Sequence, residues 1–479
     1  MPMKEHVTDI PKVLQSMAEE MWSMRKTIDQ QYSEIARLNR NIEALNHQLR
    51  KKDKVIARLN ERLSKYEQPG KNSGNSSTPP SKEGMKDEIV RRTKTLRKPS
   101  GKEPGGQKGH EGCKLSLSST PDEVIDDVPS YCTNCGESLA DAERVLDYVT
   151  QVVSIPELKP VIREIRHYVM ICKKCGERVR TVPRRRSNDV VYDASVKSLV
   201  VYLSVVQFLP YGRISGFLRD VLGLSPSEGS LVNWVNEAKR NAQPIVDKIK
   251  EYIMTSSVVG FDESGCYCNK RLDWAWIAQT VYYTLLFRAN GRGSKVLEDK
   301  FGDSLERMTA VTDRHSAYFA LHFLNHQVCL AHLLRELQYL SELNPKQNWS
   351  EQIAGLFREA IHKRNANPTG IIDKESWTER LDGLLKQNIS KLGKKFETLK
   401  NGLTKCRDYI FNFLECPMIP PDNNASERGI RKLKIKLKNS CTFRSDFGAD
   451  AFLELHSVVE TAKKHNQTPF NAIQALFEV

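Results

Sequence analysis

The stretch SVVGFDESGCYCNKRLDWAWIAQTVYYTLLFRA, residues 257–289, decides the fold predicted for this chain. It contains three short runs rich in Val, Ile, Trp and Tyr, and tight breaks separate these runs. This composition is typical of β-strands. A helix-like stretch follows, and then MTAVTDRHSAY (308–318) and HQVCLAHLLREL (326–337) supply two further strands that each lead into a helix. The predicted order is therefore strand, strand, strand, helix, strand, helix, strand, helix.

That order is the order of the RNase H-like fold, in which helices cover a mixed sheet. Asp262 is predicted to end the first strand and Asp313 the fourth, which places both carboxylates near one edge of the sheet on adjacent strands. Phosphodiester chemistry uses two divalent ions about 3.5–4 Å apart, which activate the attacking oxygen and stabilise the leaving one. Hard oxygen ligands select Mg²⁺ or Mn²⁺. The two acids therefore predict a site with two such ions.

The third acid predicted for this site is Glu427, in the stretch PPDNNASERGIRKLKIKLKNS at residues 420–440. The segment Asp422–Asn424 resembles a helix start, so Glu427 is expected to face inward near the first turn. The same helix carries basic side chains that are predicted to contact DNA phosphates. They are Arg428, Arg431, Lys432, Lys434, Lys436 and Lys438.

Other acids close to these positions have structural interpretations. Asp273 and Asp422 are the runner-up metal ligands, but the first is predicted to begin a strand and the second to cap a helix. Strand alternation sends the side chain of Glu263 to the face opposite that of Asp262. These acids are therefore not part of the predicted site.

Cys329 and His332, spaced Cys-x-x-His, leave the fifth strand and enter a helix. By themselves such residues are more often a packed thiol and a satisfied histidine than a metal site, and we predict a packing or DNA-organising role near the active site. The following stretch, about 337–416, is helical and polar. It is predicted to be a helical insertion in a catalytic domain at 254–479.

Two Cys-x-x-Cys pairs, each followed by glycine, predict a zinc ribbon at residues 126–186. The four cysteines are Cys132, Cys135, Cys172 and Cys175. Paired spacing with a glycine that lets the backbone turn is the pattern of a tetrahedral four-thiolate site, which is structural and would hold one Zn²⁺. A basic flank is predicted to contact DNA phosphates. It includes Arg184, Arg185 and Arg186.

Residues 187–250 predict a helical DNA-binding domain. The break at Gly223 and Pro226, followed by a capped helix, resembles a helix-turn-helix, whose last helix can enter the major groove. Asn233 and Asn236 are exposed candidates for reading bases on that helix.

The N-terminal region predicts dimerisation. From Met21 to Leu63 apolar residues repeat every seven positions, and a second series lies three residues on. Mostly Ile in the first series and Leu in the second favour a parallel two-stranded coiled coil at 17–67, although a helix packed on its own domain is the alternative. Residues 68–125, rich in Gly, Ser, Pro and Lys, predict a basic flexible linker.

The charge balance favours a polyanionic partner. The chain has 73 Lys and Arg against 59 Asp and Glu, a formal net charge of +14, so nucleic acid is the expected partner. No apolar run approaches the roughly 18–20 residues of a membrane helix, and the start lacks the apolar core of a secretory signal. Eleven cysteines in such a chain are then expected to be thiols or metal ligands. We expect a soluble cytoplasmic protein.

With these motifs, the chain resembles the insertion sequence 66 family of bacterial transposases, of the DDE class. The resemblance rests on GKNSGNSSTPPS, GGQKGHEG, the paired cysteines, FDES, VTDRHSAY, CLAH and, most specifically, DNNASERGIRKLKIKLKNS. It implies that Asp262, Asp313 and Glu427 form the catalytic triad. It also matches Cys329 and His332 to the Cys-x-x-His signature of several DDE transposases. Arg314 departs from the family pattern, which commonly has glycine after the second Asp.

The resemblance implies a reaction and its partners. A transposase of this class would bind the terminal inverted repeats, cleave DNA and join 3′-hydroxyl ends to target DNA, as a dimer or higher oligomer in the bacterial cytoplasm, associated with the nucleoid. Small accessory proteins of the same element are further candidate partners. Two alternatives stay open at this point. One is a DNA-binding regulator without catalysis, and the other is an RNase H-like nuclease without strand transfer.

Overall fold

The computed structural model of the protein describes residues 10–67, 75, 109, 116–180 and 190–478. The predicted phosphate contacts Arg184, Arg185 and Arg186 lie outside the described residues, as does most of the predicted linker at 68–125. None of the helices in the described part of the chain combines the length and the apolar character that a bilayer-spanning segment requires.

The described chain is mixed α/β, with a five-stranded sheet, a small two-stranded sheet and many helices. In chain order the helices and strands are α1 Ile10–Glu67, β1 Val169–Ile171, β2 Arg178–Arg180, α2 Ala194–Val205, α3 Tyr211–Leu222, α4 Glu228–Met254, β3 Val258–Cys268, β4 Arg271–Gln279, β5 Thr284–Ala289, α5 Lys295–Phe301, β6 Thr309–Thr312, α6 Ser316–Phe319, β7 Asn325–Val328, α7 Leu330–Leu343, α8 Trp349–Ala366, α9 Glu375–Leu385, α10 Lys394–Lys405, α11 Asn412–Glu415, α12 Asn424–Ser440, α13 Asp446–Lys464 and α14 Pro469–Gln474. From β3 to α7 this is the element order that the sequence predicts.

The five-stranded sheet has the order β5-β4-β3-β6-β7. Strands β5, β4 and β3 pair antiparallel, whereas β3, β6 and β7 pair parallel. The mixed sheet therefore joins an antiparallel half to a parallel half at β3, which lies in its centre.

The predicted end of the first strand was wrong. Strand β3 continues through Gly265 to Cys268, so Asp262 lies inside the strand and not at its end. The chain turns instead at Asn269 and Lys270, which both have positive φ angles of 47° and 65°. Two such residues form the tight turn that suits a β-hairpin. Because β6 pairs with only the first residues of β3, the second half of β3 is paired with β4 alone.

Each face of the sheet is covered by helices. On one face Phe261 and Trp276 belong to a buried cluster with apolar residues of α4 and α13. On the other face Ile277 shares a buried cluster with Ile430 and Leu433 of α12. The second face is the one that carries the side chain of Asp262, because Asp262 and Ile277 are register partners in neighbouring strands.

Helix α13 also covers the outer edge of the sheet at β5. The hydroxyl of Ser457 accepts a hydrogen bond from the N–H of Leu286 at 2.8 Å, and that of Thr461 accepts one from the N–H of Thr284 at 3.1 Å. An edge strand with unpaired N–H groups is a template for aggregation. The two hydroxyls therefore accept hydrogen bonds from N–H groups of β5 that no neighbouring strand could pair with.

The three upstream helices share a small core of their own. It is formed by Val200, Leu203, Ile214, Leu218, Leu231 and Trp234. Gly223 ends α3 with a φ of 64°, and the Ser227 side chain caps α4, as the predicted break requires. Helix α4 does not end near Arg240 but continues to Met254, and its second half contributes to the core under the sheet. The helical region and the sheet therefore share one long helix.

The described residues divide into two units. The first contains 10–67, 75, 332–358 and 381–402, and the second contains the remaining described residues. In the first unit α1 is a helix of 58 residues, which agrees with the heptad pattern. The region 337–416, distributed over both units, is helical, as predicted for the insertion.

One residue of the predicted linker has a fixed position within the first unit. Asn75 is buried, and its Nδ2 donates a hydrogen bond to Oε2 of Glu342 at 2.7 Å. The prediction of a flexible linker is therefore wrong at Asn75, because a buried and hydrogen-bonded side chain is anchored to its neighbours.

Candidate active site

Asp262 and Asp313 come from adjacent parallel strands. The register of β3 and β6 pairs Gly260 with Val311, and each aspartate lies two residues further along, Asp262 within β3 and Asp313 directly after β6. Oδ1 of Asp313 accepts a hydrogen bond from the N–H of His315 at 2.9 Å, which fixes the turn after β6. Arg314, the departure from the family pattern, therefore occupies a turn that the aspartate itself stabilises.

Asp262 lies in the field of several other acids. Burial raises the pKa of Asp262 well above its usual value, and the negative charges of Glu263, Asp313 and Glu427 raise it further. The N–H of Glu263, which donates to Oδ1 at 2.9 Å, acts in the opposite direction. Like charges gathered in a buried place disfavour ionisation. Asp313 and Glu427 therefore contribute to the electrostatic environment of Asp262, although among the described residues the three acids do not form a group whose ligand atoms all lie within 4.8 Å of one another.

Helix α12 brings Glu427 to the sheet because two glycines permit close packing. A Cβ atom on Gly429 would lie 2.4 Å from Cδ1 of Ile277, and one on Gly260 would lie 2.6 Å from Oγ of Ser426. Neither distance is compatible with a side chain. Each glycine thus lies against a side chain of the other element, at positions on both sides of Glu427, whose own side chain is only 9% exposed.

Glu427 has a basic partner on its own helix. Nη2 of Arg431 lies 2.6 Å from Oε2 of Glu427, one helical turn away. Asp422, the runner-up acid, instead accepts a hydrogen bond from the N–H of Asn424 at 3.0 Å. It therefore serves the start of α12, close to its predicted capping role.

A residue that the sequence reasoning did not select for the site is Asn423. It is 4% exposed, and its Nδ2 donates to the carbonyl oxygen of Phe261 at 2.6 Å. Its Oδ1 accepts from the hydroxyl of Ser426 at 2.6 Å. The only signal in the sequence was its place in the helix start, which suggested a cap. In the structure its side chain does not cap the helix.

Cys329 lies buried at the end of β7, within reach of the same helix start. Its N–H donates to the carbonyl oxygen of Thr312 at 2.8 Å, and its Sγ accepts from the N–H of Asn423 at 3.2 Å. Cys329 Sγ and a carboxylate oxygen of Glu427 lie within 4.8 Å of each other. His332 is half-buried in the first turn of α7. The supporting role of Cys329 and His332 stays a prediction.

The predicted set of phosphate contacts on α12 divides into two groups. Lys436 is buried, and its Nζ donates to the carbonyl oxygens of Ser204 at 3.2 Å and Leu209 at 3.3 Å. Burial lowers the pKa of Lys436 to about 8. Its prediction as a phosphate contact was therefore wrong, because the ammonium group faces the protein interior.

Two further lysines of this set are engaged with protein groups. Nζ of Lys432 pairs with Glu460, and Nζ of Lys434 donates to the carbonyl oxygen of Gly265 at 2.7 Å. The members of this predicted set that are exposed are a smaller group. They are Arg428, Arg431 and Lys438.

The runner-up Asp273 belongs to a different cluster. It is buried on β4, where Nη1 of Arg288 lies 2.7 Å and Nε of Arg271 lies 3.1 Å from its oxygens. Asp273, Cys268 and Asp446 could in principle hold a metal, since their ligand atoms lie within 4.8 Å of one another. Two guanidinium groups already neutralise the aspartates, so this is a structural ion-pair network.

Glu263 lies on the face opposite Asp262, as alternation predicts. Its carboxylate accepts a hydrogen bond from the hydroxyl of Tyr318, and Nε of Arg292 lies 2.5 Å from its Oε1. The adjacent acid is therefore neutralised by its own partners and is not a fourth ligand of the site.

The predicted zinc ligands form two matching turns. In each turn the glycine N–H donates to the carbonyl oxygen of the first cysteine, at 2.9 Å for Gly136 and 2.8 Å for Gly176. Both glycines have positive φ angles, 74° and 73°. Backbone N–H groups lower the pKa of Cys132 and of Cys172, which favours thiolates. Among the residues that the structure describes, the four sulfurs are not gathered into one group.

The predicted base-reading residues lie on α4. Asn233 is exposed and Asn236 is half-buried, so the first presents its side chain to solvent more fully than the second. Asn233 precedes Val235, the first residue of α4 in the buried cluster under the sheet, and Asn236 directly follows it.

Comparison with known proteins places the site in a family. The sequence model of the Transposase IS66 family matches residues 189–451, a range that contains Asp262, Asp313 and Glu427. A family of unknown function (DUF6444) matches residues 25–116. No curated protein matches the chain.

Proposed function

The chain belongs to the Transposase IS66 family, and we propose from this premise that it binds transposon ends, cleaves DNA there and joins the freed 3′-hydroxyl ends to target DNA. Family membership gives the transposase role. Two observations support the proposed chemistry: the parallel register of β3 and β6, which Asp262 and Asp313 follow at the same distance, and the packing of α12 against Ile277, the register partner of Asp262.

We assign the catalytic part to the RNase H-like fold. Support comes from the strand order β5-β4-β3-β6-β7, from the change between antiparallel and parallel pairing at β3, and from the helices on both faces. In this arrangement Asp262 and Asp313 stand on neighbouring strands, and α12 adds Glu427 from one face. The proposed fold thus explains how acids that are far apart in the sequence could belong to one site.

The donor set fits hard divalent cations. Carboxylate oxygens are the ligands that Mg²⁺ and Mn²⁺ prefer, and mutual repulsion among the three acids would be relieved by positive charge. We assign two Mg²⁺ or Mn²⁺ ions to Asp262, Asp313 and Glu427. When bound, such ions activate the attacking oxygen and stabilise the leaving oxygen at phosphorus.

The exposed basic groups of α12 are proposed to hold the DNA backbone. Arg428 directly follows Glu427, and the guanidinium of Arg431 contacts the Glu427 carboxylate. Guanidinium groups bind phosphate oxygens and set the register of DNA without reading its sequence. The two arginines would therefore place the scissile phosphate beside the acids, while Lys438 contacts the backbone further along.

The pairing of two transposon ends is proposed to depend on α1. Its heptad side chains are exposed in the single chain, for example Ile28 at 48%, Ile35 at 53% and Ile42 at 54%. A stripe of this length is buried when two copies form a coiled coil. We therefore propose a homodimer, with the small accessory proteins of the element as further partners.

The two cysteine turns are proposed to bind one structural Zn²⁺. Their matching geometry and the lowered pKa values of Cys132 and Cys172 suit thiolate ligation. We propose that Cys132, Cys135, Cys172 and Cys175 hold the ion together and that the ribbon contributes to DNA binding with Asn233 and Asn236 of α4.

An assay with labelled transposon ends and a target plasmid tests the proposal. The expected products are cleaved ends and joined molecules in which a transposon end is linked to the plasmid. Cleaved ends without joined molecules would indicate a nuclease, and binding without either product would indicate a regulator. Either result would contradict the proposed transposition chemistry.

A further inference from the structure

We propose that Asn423 is a positioning residue that sets the relative placement of all three acids. The inference rests on the proposed function, because it assigns a role in that same site. Asn423 is not a metal ligand in this proposal. It acts through hydrogen bonds to the backbone beside each acid.

The first contact fixes the strand of Asp262. Nδ2 of Asn423 donates to the carbonyl oxygen of Phe261 at 2.6 Å. That oxygen belongs to the peptide group that joins Phe261 to Asp262. A shift of Asn423 would therefore move the backbone of Asp262 or leave a buried carbonyl without this donor.

The second contact fixes Glu427. The N–H of Glu427 donates to the carbonyl oxygen of Asn423 at 3.2 Å, and the hydroxyl of Ser426 donates to Oδ1 of Asn423 at 2.6 Å. Both bonds lie in the first turn of α12. The side-chain amide of Asn423 thus joins the start of this helix directly to β3.

The third contact reaches Asp313 through one intermediate residue. The backbone N–H of Asn423 donates to Sγ of Cys329 at 3.2 Å. The N–H of Cys329 in turn donates to the carbonyl oxygen of Thr312 at 2.8 Å, in the peptide group that precedes Asp313. The same residue is therefore linked to the backbone next to every acid of the site.

The orientation of the Asn423 amide is determined by its partners. Phe261 offers a carbonyl that can only accept, and the hydroxyl of Ser426 also accepts a bond from Nε2 of Gln279 at 3.3 Å. Nζ of Lys464 then lies 3.2 Å from Oε1 of Gln279. Each group in this series of hydrogen bonds therefore donates to the next one in the same direction, from Lys464 to Phe261. Such a consistent series makes the network rigid.

Asn423 and Ser426 occupy the space that a side chain at position 260 would need. A Cβ atom on Gly260 would lie 2.8 Å from Oδ1 of Asn423 and 2.6 Å from Oγ of Ser426. The absence of a side chain at Gly260 is therefore a requirement of the network. Groups that orient metal ligands in this way commonly change metal affinity or activity by about 10- to 100-fold when removed.

The test compares full-length wild type with Asn423→Ala and with Asn424→Ala, which changes the neighbouring asparagine outside the network. Mn²⁺ binding is measured by titration calorimetry, and end cleavage is measured as a function of Mn²⁺ concentration. We expect Asn423→Ala to weaken Mn²⁺ binding roughly 10- to 100-fold and excess Mn²⁺ to restore cleavage. Asn424→Ala is expected to behave as wild type.

A second, milder variant keeps the test valid if Asn423→Ala does not fold. Ser426→Ala removes only the donor to Oδ1 of Asn423, and we expect a smaller loss of Mn²⁺ affinity in the same direction. Unchanged affinity in both network variants, or a loss of cleavage that excess Mn²⁺ does not restore, would overturn the inference alone. Equal Mn²⁺ binding by wild type and Asp262→Ala would overturn the proposed metal site and the inference with it.

Discussion

Gly429 of α12 lies against Ile277 of β4, so that a Cβ atom on the glycine would be 2.4 Å from Cδ1 of the isoleucine. This contact sets how closely the helix that carries Glu427 can approach the sheet that carries Asp262. Stability and the geometry of the site are therefore coupled at one residue.

Replacing Gly429 with alanine should push α12 away from the sheet. Overpacking of this kind costs about 1–3 kcal/mol, which exceeds the gain of roughly 1 kcal/mol that alanine brings to a helix interior. Urea unfolding should show this loss of stability, and end cleavage should fall as well. Gly355 in α8 has open space around it, so Gly355→Ala should instead stabilise the protein. Equal effects of the two changes would contradict the packing argument.

Replacing Asp262, Asp313 or Glu427 with alanine should abolish strand cleavage and leave end binding largely intact. Removal of a ligand disrupts the metal site, while the zinc ribbon and α4, which are also proposed to bind DNA, are elsewhere in the chain. Gel shifts and cleavage assays on the same protein samples measure the two properties. Asp422→Ala is the control, and it should mainly cost roughly 0.5–2 kcal/mol of helix stability. Normal cleavage by any one triad variant would mean that its acid is misassigned.

Acidification should destabilise the fold through His456. Burial lowers the pKa of His456 to about 4, with the charges of Lys432 and Lys463 acting in the same direction and Glu460 in the opposite one. The unfolded chain, with an ordinary pKa of 6.5, binds a proton between pH 6.5 and 4 that the folded chain does not. The stability contributed by neutral His456 is therefore complete above pH 6.5 and is lost as the pH falls toward 4.

The loss for this one group should approach about 1.4 kcal/mol per pH unit. The ring of His456 stacks on Phe452, so His456→Phe keeps an aromatic ring and removes the titration. Urea unfolding at several pH values should show a smaller pH dependence in this variant. His362 is exposed on α8, and His362→Phe should leave the pH dependence as in wild type. An unchanged slope in His456→Phe would contradict the assignment.

Chelation of zinc, or replacement of both Cys132 and Cys172 with serine, should unfold the ribbon locally and weaken DNA binding. Structural zinc is coupled to folding, since the ion holds together segments that otherwise lack a core. Elemental analysis of purified protein should find one zinc per chain, and Cys441→Ser, at an exposed cysteine outside the two turns, should retain it. Less than one zinc in wild type would count against the site.

Charge at the heptad positions should dissociate the proposed dimer. The double change Ile35→Asp and Ile42→Asp would bury unpaired carboxylates in the seam between two helices. Light scattering at equal concentration should then report a monomer. In the assay with labelled ends, this monomer should nick single ends but not join two ends. Ala36→Asp with Ala44→Asp adds the same charge away from the seam and should stay dimeric. A monomeric wild type at micromolar concentration would point to an accessory protein as the partner of this helix.

Several features of this protein follow from the sequence alone. The heptads predict the long helix α1, and the alternation around Asp262 separates its face from that of Glu263. The element order from β3 to α7 also follows, because strand and helix periods are local properties of neighbouring residues. The acids Asp262, Asp313 and Glu427 are predicted by the same local rules together with the family resemblance, and their catalytic role stays a prediction.

Other features depend on which surfaces meet in three dimensions. Lys436 and Arg428 belong to the same basic run, yet one is buried under carbonyl groups and the other is exposed. The helix period separates the faces of α12, but the neighbour that covers a face comes from distant parts of the chain. The role of Asn423 is of the same kind, since its partner Phe261 is more than 160 residues away. Local periodicity can therefore predict elements and candidate acids, whereas hydrogen bonds between distant segments exist only after the helix has packed on the sheet.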